Sequence, residues 1–451
     1  MEWSRGLVPC RPVIDTEPEM PDPRRTALGV ELLEARDVPA VITVTSTADT
    51  VLRDGVVTLR EAILAADTRQ AVGDVPAPGS AAVVIKFAIP GTGLHTITPR
   101  SALPAIMAGT TLDATTQPGY AGNPVVELNG SLAGTGVNGL TLSVGGNVVR
   151  GLLINRFSGN GIDVASGGNT VAGCWVGMDA TGYRAAGNGA NGILVTGAGN
   201  TIGGTGVGAR VVVGGNRLAG IDITGSQAAW NQVVGDYIGT DFTGFASVPN
   251  GTGILICSGA HLNTVGGPTR ASRNVVAGNV GDQLCIAGTG ASANVVQGNY
   301  LGVDSSGESG SLSGGSAVKL AAGATGNVIG GTALGTGNLI SGAGHRLTNG
   351  VAVGVGIEID DAGTTRNVIQ GNWVGLDARG CAPITNQAGG ILIKGATGNT
   401  IGGTGTAQNV VGDPVNSPGL AASNRLLPAY WYVDTLRYLG HPELVGGSFR
   451  A

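Results

Sequence analysis

The segment Asn169–Asp179, which reads NTVAGCWVGMD, is followed by three similar copies along the chain, and this repetition is the main evidence for the fold. Its copies are Asn231–Asp241 (NQVVGDYIGTD), Asn294–Asp304 (NVVQGNYLGVD) and Asn367–Asp377 (NVIQGNWVGLD). The first two intervals between successive copies are nearly equal, and the third is longer. Internal repetition of this kind is typical of solenoids and arrays, in which each unit buries its apolar face against the next unit.

A second phrase follows each copy, and short alternating runs such as Gly192–Val195 lie between the phrases. Its four occurrences are Asn200–Gly204 (NTIGG), Asn263–Gly267 (NTVGG), Asn327–Gly331 (NVIGG) and Asn399–Gly403 (NTIGG). Runs of three to five β-branched residues bounded by Gly and Asn are typical of strands, and none of them has the 3.6-residue period of a helix.

Strands this short cannot each bury a face alone. A coiled chain solves the problem, because every backbone N–H and C=O then pairs with a neighbouring coil about 4.8 Å away. We therefore predict an all-β fold, a parallel β-solenoid, in which a unit of about 62 residues fits roughly three coils of about 20–21 residues. An antiparallel propeller is the alternative, but its hairpin turns and Trp-Asp signatures are missing.

The composition excludes several other classes of protein. Glycine accounts for 82 of the 451 residues but does not recur at every third position, which excludes collagen. Hydrophobic residues, at 42%, are too many for a disordered chain. The sequence contains no run of about 20 apolar residues, which is the length that a helix needs to span a membrane. The net charge of −5, without a basic stripe, argues against a nucleic acid partner.

Two slots of the repeat have side chains with a clear physical role. The Asn that begins each phrase is predicted to form a ladder, because stacked Asn side chains hydrogen-bond along the coil axis and Asn tolerates left-handed backbone angles. An aromatic slot in the first phrase would either stack on a sugar or, as the more frequent role, cover a turn. Its residues are Trp175, Tyr237, Tyr300 and Trp373.

We expect neither a metal nor a cofactor. The repeated Asp residues each begin an Asp-x-x-Gly phrase typical of a type I turn, and three coils would hold them roughly 14 Å apart. A Ca²⁺ site needs six to eight oxygens within about 2.6 Å, and the GGxGxD calcium pattern is absent. The Asp residues are Asp179, Asp241, Asp304 and Asp377. Four of the five cysteines are expected as small buried side chains on strands: Cys174, Cys257, Cys285 and Cys381.

The repeats resemble those of bacterial right-handed parallel β-helix proteins of the pectin-lyase-like class, which implies a right-handed β-helix. Upstream, Val44–Asp49 followed by Thr58–Ile63 (TLREAI) resembles the CSLREA-type N-terminal motif, with Val57 in place of its usual Cys. Arg24-Arg25 and Leu32–Ala40 resemble the N-terminal sorting motif of planctomycete exported proteins. The resemblance implies an extracellular or cell-surface location. It implies no single activity, because this architecture hosts lyases, hydrolases, adhesins and stalks alike.

We expect four regions along the chain. Residues 1–40 form either an export or sorting segment or a polar disordered N-terminus. Residues 41–110 form the cap and the entry strands, with a capping box at Thr58–Glu61 ahead of a short amphipathic helix that covers the open end of the solenoid. Residues 111–412 form the β-helix with its four units of about 62–73 residues. Residues 413–451 break the pattern and form a tail or a C-terminal cap.

One constellation of charged residues resembles a catalytic site: His345, Glu358, Asp360, Asp361 and Lys394. Pectin hydrolases of this architecture use an Asp pair, a His in a Gly-His-Gly context and an Arg-Ile-Lys phrase. Here the His precedes the Asp pair, and both the Asn-Thr-Asp phrase and the Arg are missing. Alternation predicts Glu358 and Asp360 on one face of a strand and Asp361 on the other. Because the third interval is the longest, we expect residues 346–366 to bulge outward, where function and solvated charges are both common.

The hypothesis that follows is an exported or cell-surface monomer with a structural or adhesive role, which binds polysaccharide or another cell-envelope glycan along one exposed sheet. Near-identical units, sparse charges and the lack of a convergent acid–base set favour it over an enzyme. The alternatives are a lyase or glycoside hydrolase acting on acidic polysaccharide, and a passive stalk. Clustering of Glu358, Asp360, His345 and Lys394 within about 6 Å in one groove would favour the enzyme.

Overall fold

A computed structural model describes residues 39–79, 82–107, 109–311, 314–346, 352–412 and 425–426. Almost all of its regular structure belongs to three parallel sheets, named here sheets 1, 2 and 3, whose short strands stack in chain order. The chain visits the three sheets in turn and then returns to the first, one coil further along. The predicted fold, an all-β right-handed parallel β-helix, is confirmed.

The strands of the three sheets are short. Sheet 1 contains Ala40–Val44, Val83–Phe87, Thr110–Asp113, Val148–Arg150, Thr170–Ala172, Thr201–Gly203, Gln232–Val234, Thr264–Gly266, Val295–Gln297, Val328–Gly330, Val368–Gln370, Thr400–Ile401 and Arg425–Leu426. Sheet 2 contains His95–Ile97, Val126–Asn129, Leu152–Asn155, Trp175–Val176, Val212–Val213, Tyr237–Ile238, Val275–Val276, Tyr300–Leu301, Leu339–Ile340, Trp373–Val374 and Val410–Val411. Sheet 3 contains Leu140–Leu142, Ile162–Val164, Ile193–Val195, Ala219–Thr224, Thr252–Cys257, Leu284–Ala287, Val318–Ala321, Ile357–Asp360 and Ile391–Lys394.

The register of sheet 1 shows how much chain one coil takes. It pairs Thr170 with Thr201, Thr201 with Gln232, Gln232 with Thr264, and Thr264 with Val295. Consecutive copies of the two phrases, which begin at paired positions, therefore lie on adjacent coils. Each repeat unit is two coils, and the expectation of three shorter coils per unit is wrong. The coils are longer because their connections, and not only their strands, contribute residues.

The two coils of a unit differ in where the extra residues lie. In the coil with the first phrase, a short antiparallel hairpin follows the sheet 2 strand. These hairpins, the hairpin column, are residues 178–185, 240–247, 303–310 and 376–383. In the other coil a longer loop joins sheet 1 to sheet 2. These loops, the loop column, are residues 204–209, 267–272, 331–336 and 403–407, and two of them contain 3₁₀ turns, Arg270–Ser272 and Gly405–Ala407. Two further 3₁₀ turns, Ala114–Thr116 and Gly130–Leu132, lie nearer the N-terminus.

The predicted Asn ladder is confirmed, and it contains the Asn of both phrases. In each step one Asn Oδ1 accepts the backbone N–H and the side-chain amide of the Asn one coil earlier. For Asn200 and Asn231 these distances are 2.8 and 3.0 Å. The ladder, which satisfies buried amides without water, contains Asn147, Asn169, Asn200, Asn231, Asn263, Asn294, Asn327, Asn367 and Asn399. A second ladder beside sheet 2 contains Asn274, Asn299, Asn338, Asn372 and Asn409.

The residue before each of the repeated ladder Asn takes a left-handed backbone conformation. Glycine fills this position in several coils, but Trp230, Leu262, Ala293 and Arg366 fill it in others, with φ between 53° and 60°. A side chain with a Cβ is strained in this region. The coil geometry therefore imposes the conformation regardless of residue type.

A helix, Leu59–Thr68, packs Leu59, Ile63 and Ala66 into the apolar core at the N-terminal end. The predicted capping box is confirmed: Thr58 Oγ1 accepts the N–H of Glu61, and the Glu61 carboxylate accepts the N–H of Thr58. No helix of the described chain is long and apolar enough to cross a membrane. The expected sorting segment and the C-terminal tail lie outside the described residues, apart from residues 39–40 and the short strand at 425–426.

The expected outward bulge of residues 346–366 is confined to a shorter stretch. His345–Arg346 pairs antiparallel with Ala352–Val353, away from the three sheets. Ile357–Asp360 instead lies in sheet 3, in register with its neighbours. The expectation is therefore wrong for the residues that follow the short hairpin, because the strand that carries Glu358 and Asp360 belongs to the solenoid wall.

Candidate functional site

Four charged side chains meet on the outer face of sheet 3, and we call them the Lys–carboxylate cluster: Lys319, Glu358, Asp360 and Lys394. Lys394 Nζ lies 2.5 Å from Glu358 Oε1, and Lys319 Nζ lies 3.1 Å from Asp360 Oδ2 and 3.5 Å from Glu358 Oε1. The register explains the contact, because Lys319 pairs with Glu358 and Asp360 pairs with Lys394 on adjacent strands. Alternation turns these side chains outward while Ile357 stays in the core.

The electrostatics of this cluster oppose proton transfer near neutral pH. Burial raises the pKa of Glu358, but hydrogen bonds from Lys394 and Ser316 and the charges of the two ammonium groups outweigh it and bring the pKa to about 2. Burial lowers the pKa of Lys319, but the hydrogen bond to Asp360 and the charge of Glu358 outweigh it and raise the pKa. A general acid or base needs a pKa near the working pH. Glu358 and Lys319 both stay ionised, so they act as an ion pair.

The structure brings together three of the five residues of the sequence-predicted constellation. Glu358, Asp360 and Lys394 meet, whereas His345 lies in the short antiparallel hairpin. Asp361 leaves the strand with φ 73° and accepts the N–H of Ala322 at 2.8 Å. Lys319 was missed by sequence reasoning. Only the register of sheet 3 reveals it, because Lys319 pairs with Glu358 across a coil that the additional hairpin at residues 345–353 lengthens.

Other carboxylates on the same outer face have raised pKa values. Burial raises the pKa of Asp222 to about 6, although Asn191 donates a hydrogen bond to it at 3.2 Å. Burial also raises the pKa of Asp163 and Asp282. In the described part of the chain, no group of three or more His, Cys, Asp or Glu is placed to hold a metal ion.

The repeated Asp residues bind their own turns. Asp179 Oδ1 accepts the N–H of Thr181 at 3.1 Å, and Asp241 Oδ1 accepts the N–H of Phe245 at 3.0 Å. The other two carboxylates, Asp304 and Asp377, accept backbone N–H groups of their turns in the same way. The units are two coils long, so the expected spacing of roughly 14 Å becomes about 10 Å along the axis. Each Asp is a turn residue whose carboxylate accepts backbone N–H groups of its own turn.

The four cysteines within the described residues do not form a site. Cys174 is buried, and burial raises its pKa to about 12. Cys257 and Cys285 lie half-buried on strands of sheet 3, and their side chains face outward rather than into the core. Cys381 is exposed in the turn after Asp377. The expectation of a buried strand residue is therefore wrong for Cys381, because it falls in the hairpin column. It holds only in part for the other three, because Cys257 and Cys285 lie on strands but are half-buried, and Cys174 is buried but lies between two strands.

The aromatic slot faces outward on sheet 2 and packs under the hairpin column. A Cβ added to Gly182 would lie 2.6 Å from the ring of Trp175, and one added to Gly244 would lie 2.8 Å from the ring of Tyr237. Trp175 is only 5% exposed and has the ring of Phe242 at 5.3 Å. It offers no ring face to a ligand.

Each of the two tyrosines of the aromatic slot has an arginine guanidinium over its ring. The guanidinium of Arg210 lies 3.9 Å from the ring centre of Tyr237, and that of Arg273 lies 4.0 Å from the ring centre of Tyr300. Each Arg Nε also donates to a backbone carbonyl, from Arg210 at 3.1 Å and from Arg273 at 3.3 Å. The two arrangements are the same contact repeated two coils apart.

The third repetition opens into a groove. Gly337 stands two residues before its sheet 2 strand, where Arg210 and Arg273 stand in the earlier units, so this position places no side chain over Trp373. The groove, which we call the sheet 2 groove, has a volume of about 600 Å³. Its floor is Tyr300, Leu339, Trp373 and Val410; its walls come from the loop column, with Leu334 98% exposed at the rim, and from the hairpin column at residues 376–380.

Comparison with known proteins finds only distant structural likenesses. No protein-family model matches the chain, and no curated protein sequence matches it. The A-module of a mannuronan C-5 epimerase from Azotobacter vinelandii is 14% identical, with a TM-score of 0.49 over 84% of this chain and 98% of that chain. A PL6 family polysaccharide lyase from Pseudopedobacter saltans is 15% identical, with a TM-score of 0.32 over 82% and 85%. The tailspike of the E. coli bacteriophage HK620, solved with a pentasaccharide, is 12% identical, with a TM-score of 0.33 over 82% and 65%.

Proposed function

We propose that the protein is an exported or cell-surface monomer with a structural or adhesive role, which binds polysaccharide in the sheet 2 groove. The observation that carries the proposal is the groove itself. It is open, has two aromatic residues in its floor, and has the size of a site for a small ligand or a few sugar residues. Aromatic rings are good partners for the apolar faces of sugars, because they supply a large rigid surface.

The regular architecture supports a structural role. Backbone hydrogen bonds between strands, together with the Asn ladders, connect each coil of the wall to the coils before and after it. Such a wall keeps a groove in fixed shape without a ligand, and preorganisation of this kind improves affinity.

The ionised state of the Lys–carboxylate cluster supports binding over catalysis. Its two lysines and two carboxylates neutralise one another, and neither Glu358 nor Lys319 can exchange a proton near pH 7. The alternative, a lyase or glycoside hydrolase acting on acidic polysaccharide, is favoured by one observation only. Three of the residues predicted for it, Glu358, Asp360 and Lys394, do lie together.

A binding and turnover assay tests the proposal. The full chain is incubated with plant, algal and bacterial polysaccharides, and retention is measured alongside the release of reducing ends and unsaturated uronates. We expect retention without turnover. Trp373→Ala should weaken retention, whereas Tyr237→Ala, in the same slot but outside the groove, should not. Turnover that is lost in Asp360→Asn would establish the enzyme instead, and no retention of any glycan would leave a passive stalk.

A further inference from the structure

The sheet 2 groove has an asymmetric charge. Arg273 is the sole charged residue among the described residues that line it, and no Asp or Glu is among them. The rest of the lining is glycine backbone, small polar side chains such as Gln408 and Thr406, and the aromatic floor.

Arg273 is held in place before any ligand arrives. Its guanidinium lies 4.0 Å from the ring centre of Tyr300, and its Nε donates to Gly298 O at 3.3 Å. Its two terminal nitrogens have no hydrogen-bond partner among the described residues, and the residue is half-buried at the end of the groove. A guanidinium with one edge fixed and the other free is suited to a bidentate contact with a carboxylate or a sulfate.

We propose that the sheet 2 groove is selective for acidic oligosaccharides, with Arg273 binding the carboxylate or sulfate of one sugar while the aromatic floor packs against its neighbours. This inference rests on the proposed function and names the chemical class of its ligand. Neutral glycans would fill the same volume but leave the guanidinium without a counter-charge. Arg273 therefore determines the preference for acidic ligands, and the hairpin and loop columns determine the shape of the groove.

Arg210 provides a matched control. It makes the same two contacts, over the ring of Tyr237 and to a backbone carbonyl, but it does not line the groove. Arg210→Gln and Arg273→Gln therefore remove the same ring contact and the same charge from the whole protein, although Arg210→Gln also removes a positive charge near the buried Asp236. Only Arg273→Gln removes a charge from the groove. Arg273→Lys retains a cation there, so it shows whether a loss of binding in Arg273→Gln comes from the missing charge or from misfolding.

The test uses the full chain and titration calorimetry with three probes. These are a galacturonic acid hexamer, its fully methyl-esterified form, and a sulfated galactose hexamer. The wild type should bind an acidic probe about tenfold or more tightly than the methyl ester, with a preference that decreases at high salt. Arg273→Gln should remove the preference, Arg210→Gln should preserve it, and Arg273→Lys should keep part of it. The two acidic probes separate carboxylate from sulfate recognition.

Two results would overturn the inference and leave the proposed function intact. One is equal binding of the methyl ester and the acidic probes by the wild type. The other is an equal effect of Arg273→Gln and Arg210→Gln. If the wild type binds none of the probes and also retains no polysaccharide in the broader assay, the proposed function is overturned together with the inference.

Discussion

Asp236 occupies the first position of the Asn ladder that continues with Asn274 one coil later. Its N–H donates to Asn274 Oδ1 at 2.9 Å, and its own Oδ1 accepts the N–H of Val211 at 2.8 Å. Its Oδ2, which stands where an Asn would have its amide nitrogen, has no hydrogen-bond partner among the described residues. A carboxylate therefore fills a position built for an amide.

The first prediction is that Asp236→Asn stabilises the protein at neutral pH. The side chain is fully buried, and burial raises its pKa well above the usual value. The folded state therefore binds the proton more tightly than the unfolded state, and wild-type stability falls as pH rises from about 4 through the folded pKa. An amide adds donors and removes the buried charge, for a gain of about 1–3 kcal/mol.

Urea unfolding at a series of pH values measures this effect. The gain should be largest at neutral pH and should shrink towards pH 4, because the wild-type carboxyl is then protonated. Asp179→Asn, in an exposed turn, serves as the control and should lack this pattern. A variant that is less stable than the wild type at neutral pH would contradict the interpretation of Asp236 as a misplaced ladder residue.

The second prediction concerns backbone strain at Ala293, whose φ is 53°. Glycine adopts this conformation without the Cβ clash, so Ala293→Gly should stabilise the protein by about 1 kcal/mol, although glycine usually destabilises. Ala271→Gly, at an exposed position in a 3₁₀ turn with negative φ, should be neutral or destabilising. Thermal unfolding of both variants checks the pair, and a lower midpoint for Ala293→Gly would count against the strain.

The third prediction is that Asn263→Ala, in the middle of the first ladder, is strongly destabilising. The change leaves the N–H and the side-chain amide of Asn231 without their acceptor, and it leaves the carbonyl of Ala228 with the N–H of His261 as its remaining donor. Several unsatisfied buried groups cost about 1–3 kcal/mol each. Asn123→Ala, at an exposed site, should have little effect. Equal unfolding midpoints for the two variants would show that the ladder contributes no stability.

The fourth prediction assigns the Lys–carboxylate cluster a pH-dependent role in stability. The pKa of Glu358, about 2, lies below that of an unfolded Glu. Its stabilising contribution is therefore present above about pH 4.3 and is lost as pH falls towards 2. Because the cluster is partly exposed, Glu358→Gln should cost only about 1 kcal/mol at neutral pH, and the cost should decrease as the pH falls through the folded-state pKa of about 2. A loss of stability that is independent of pH would exclude this origin.

The fold was predictable because the sequence pattern that produces it is repeated along the chain. Each phrase carries the same Asn, the same β-branched run and the same turn residues, so one interpretation is tested several times within one sequence. The coil length was not predictable from the same pattern. Strand residues define a coil only when the connections are known, and the hairpin and loop columns alternate in a way that a single period cannot reveal.

The candidate site followed the same logic. Glu358, Asp360 and Lys394 could be grouped because charges are rare in this chain and their alternation is regular. Lys319 was missed, since its partnership depends on the coil length. The sheet 2 groove was also missed, because it arises from an absence: Gly337 has no side chain where Arg273 has one. Its signal is visible in the sequence only after the two residues are aligned coil by coil.

The alternation of the hairpin column and the loop column limits how such a chain can lengthen or shorten during evolution. Loss or gain of a single coil would place a hairpin against a loop and would break the contacts that run from Gly182 O to the N–H of Phe242, and from Gly244 O to the N–H of Ser305. Duplication of a whole repeat unit keeps both columns in phase. The smallest inheritable increment of this rod is therefore two coils, about 10 Å of length.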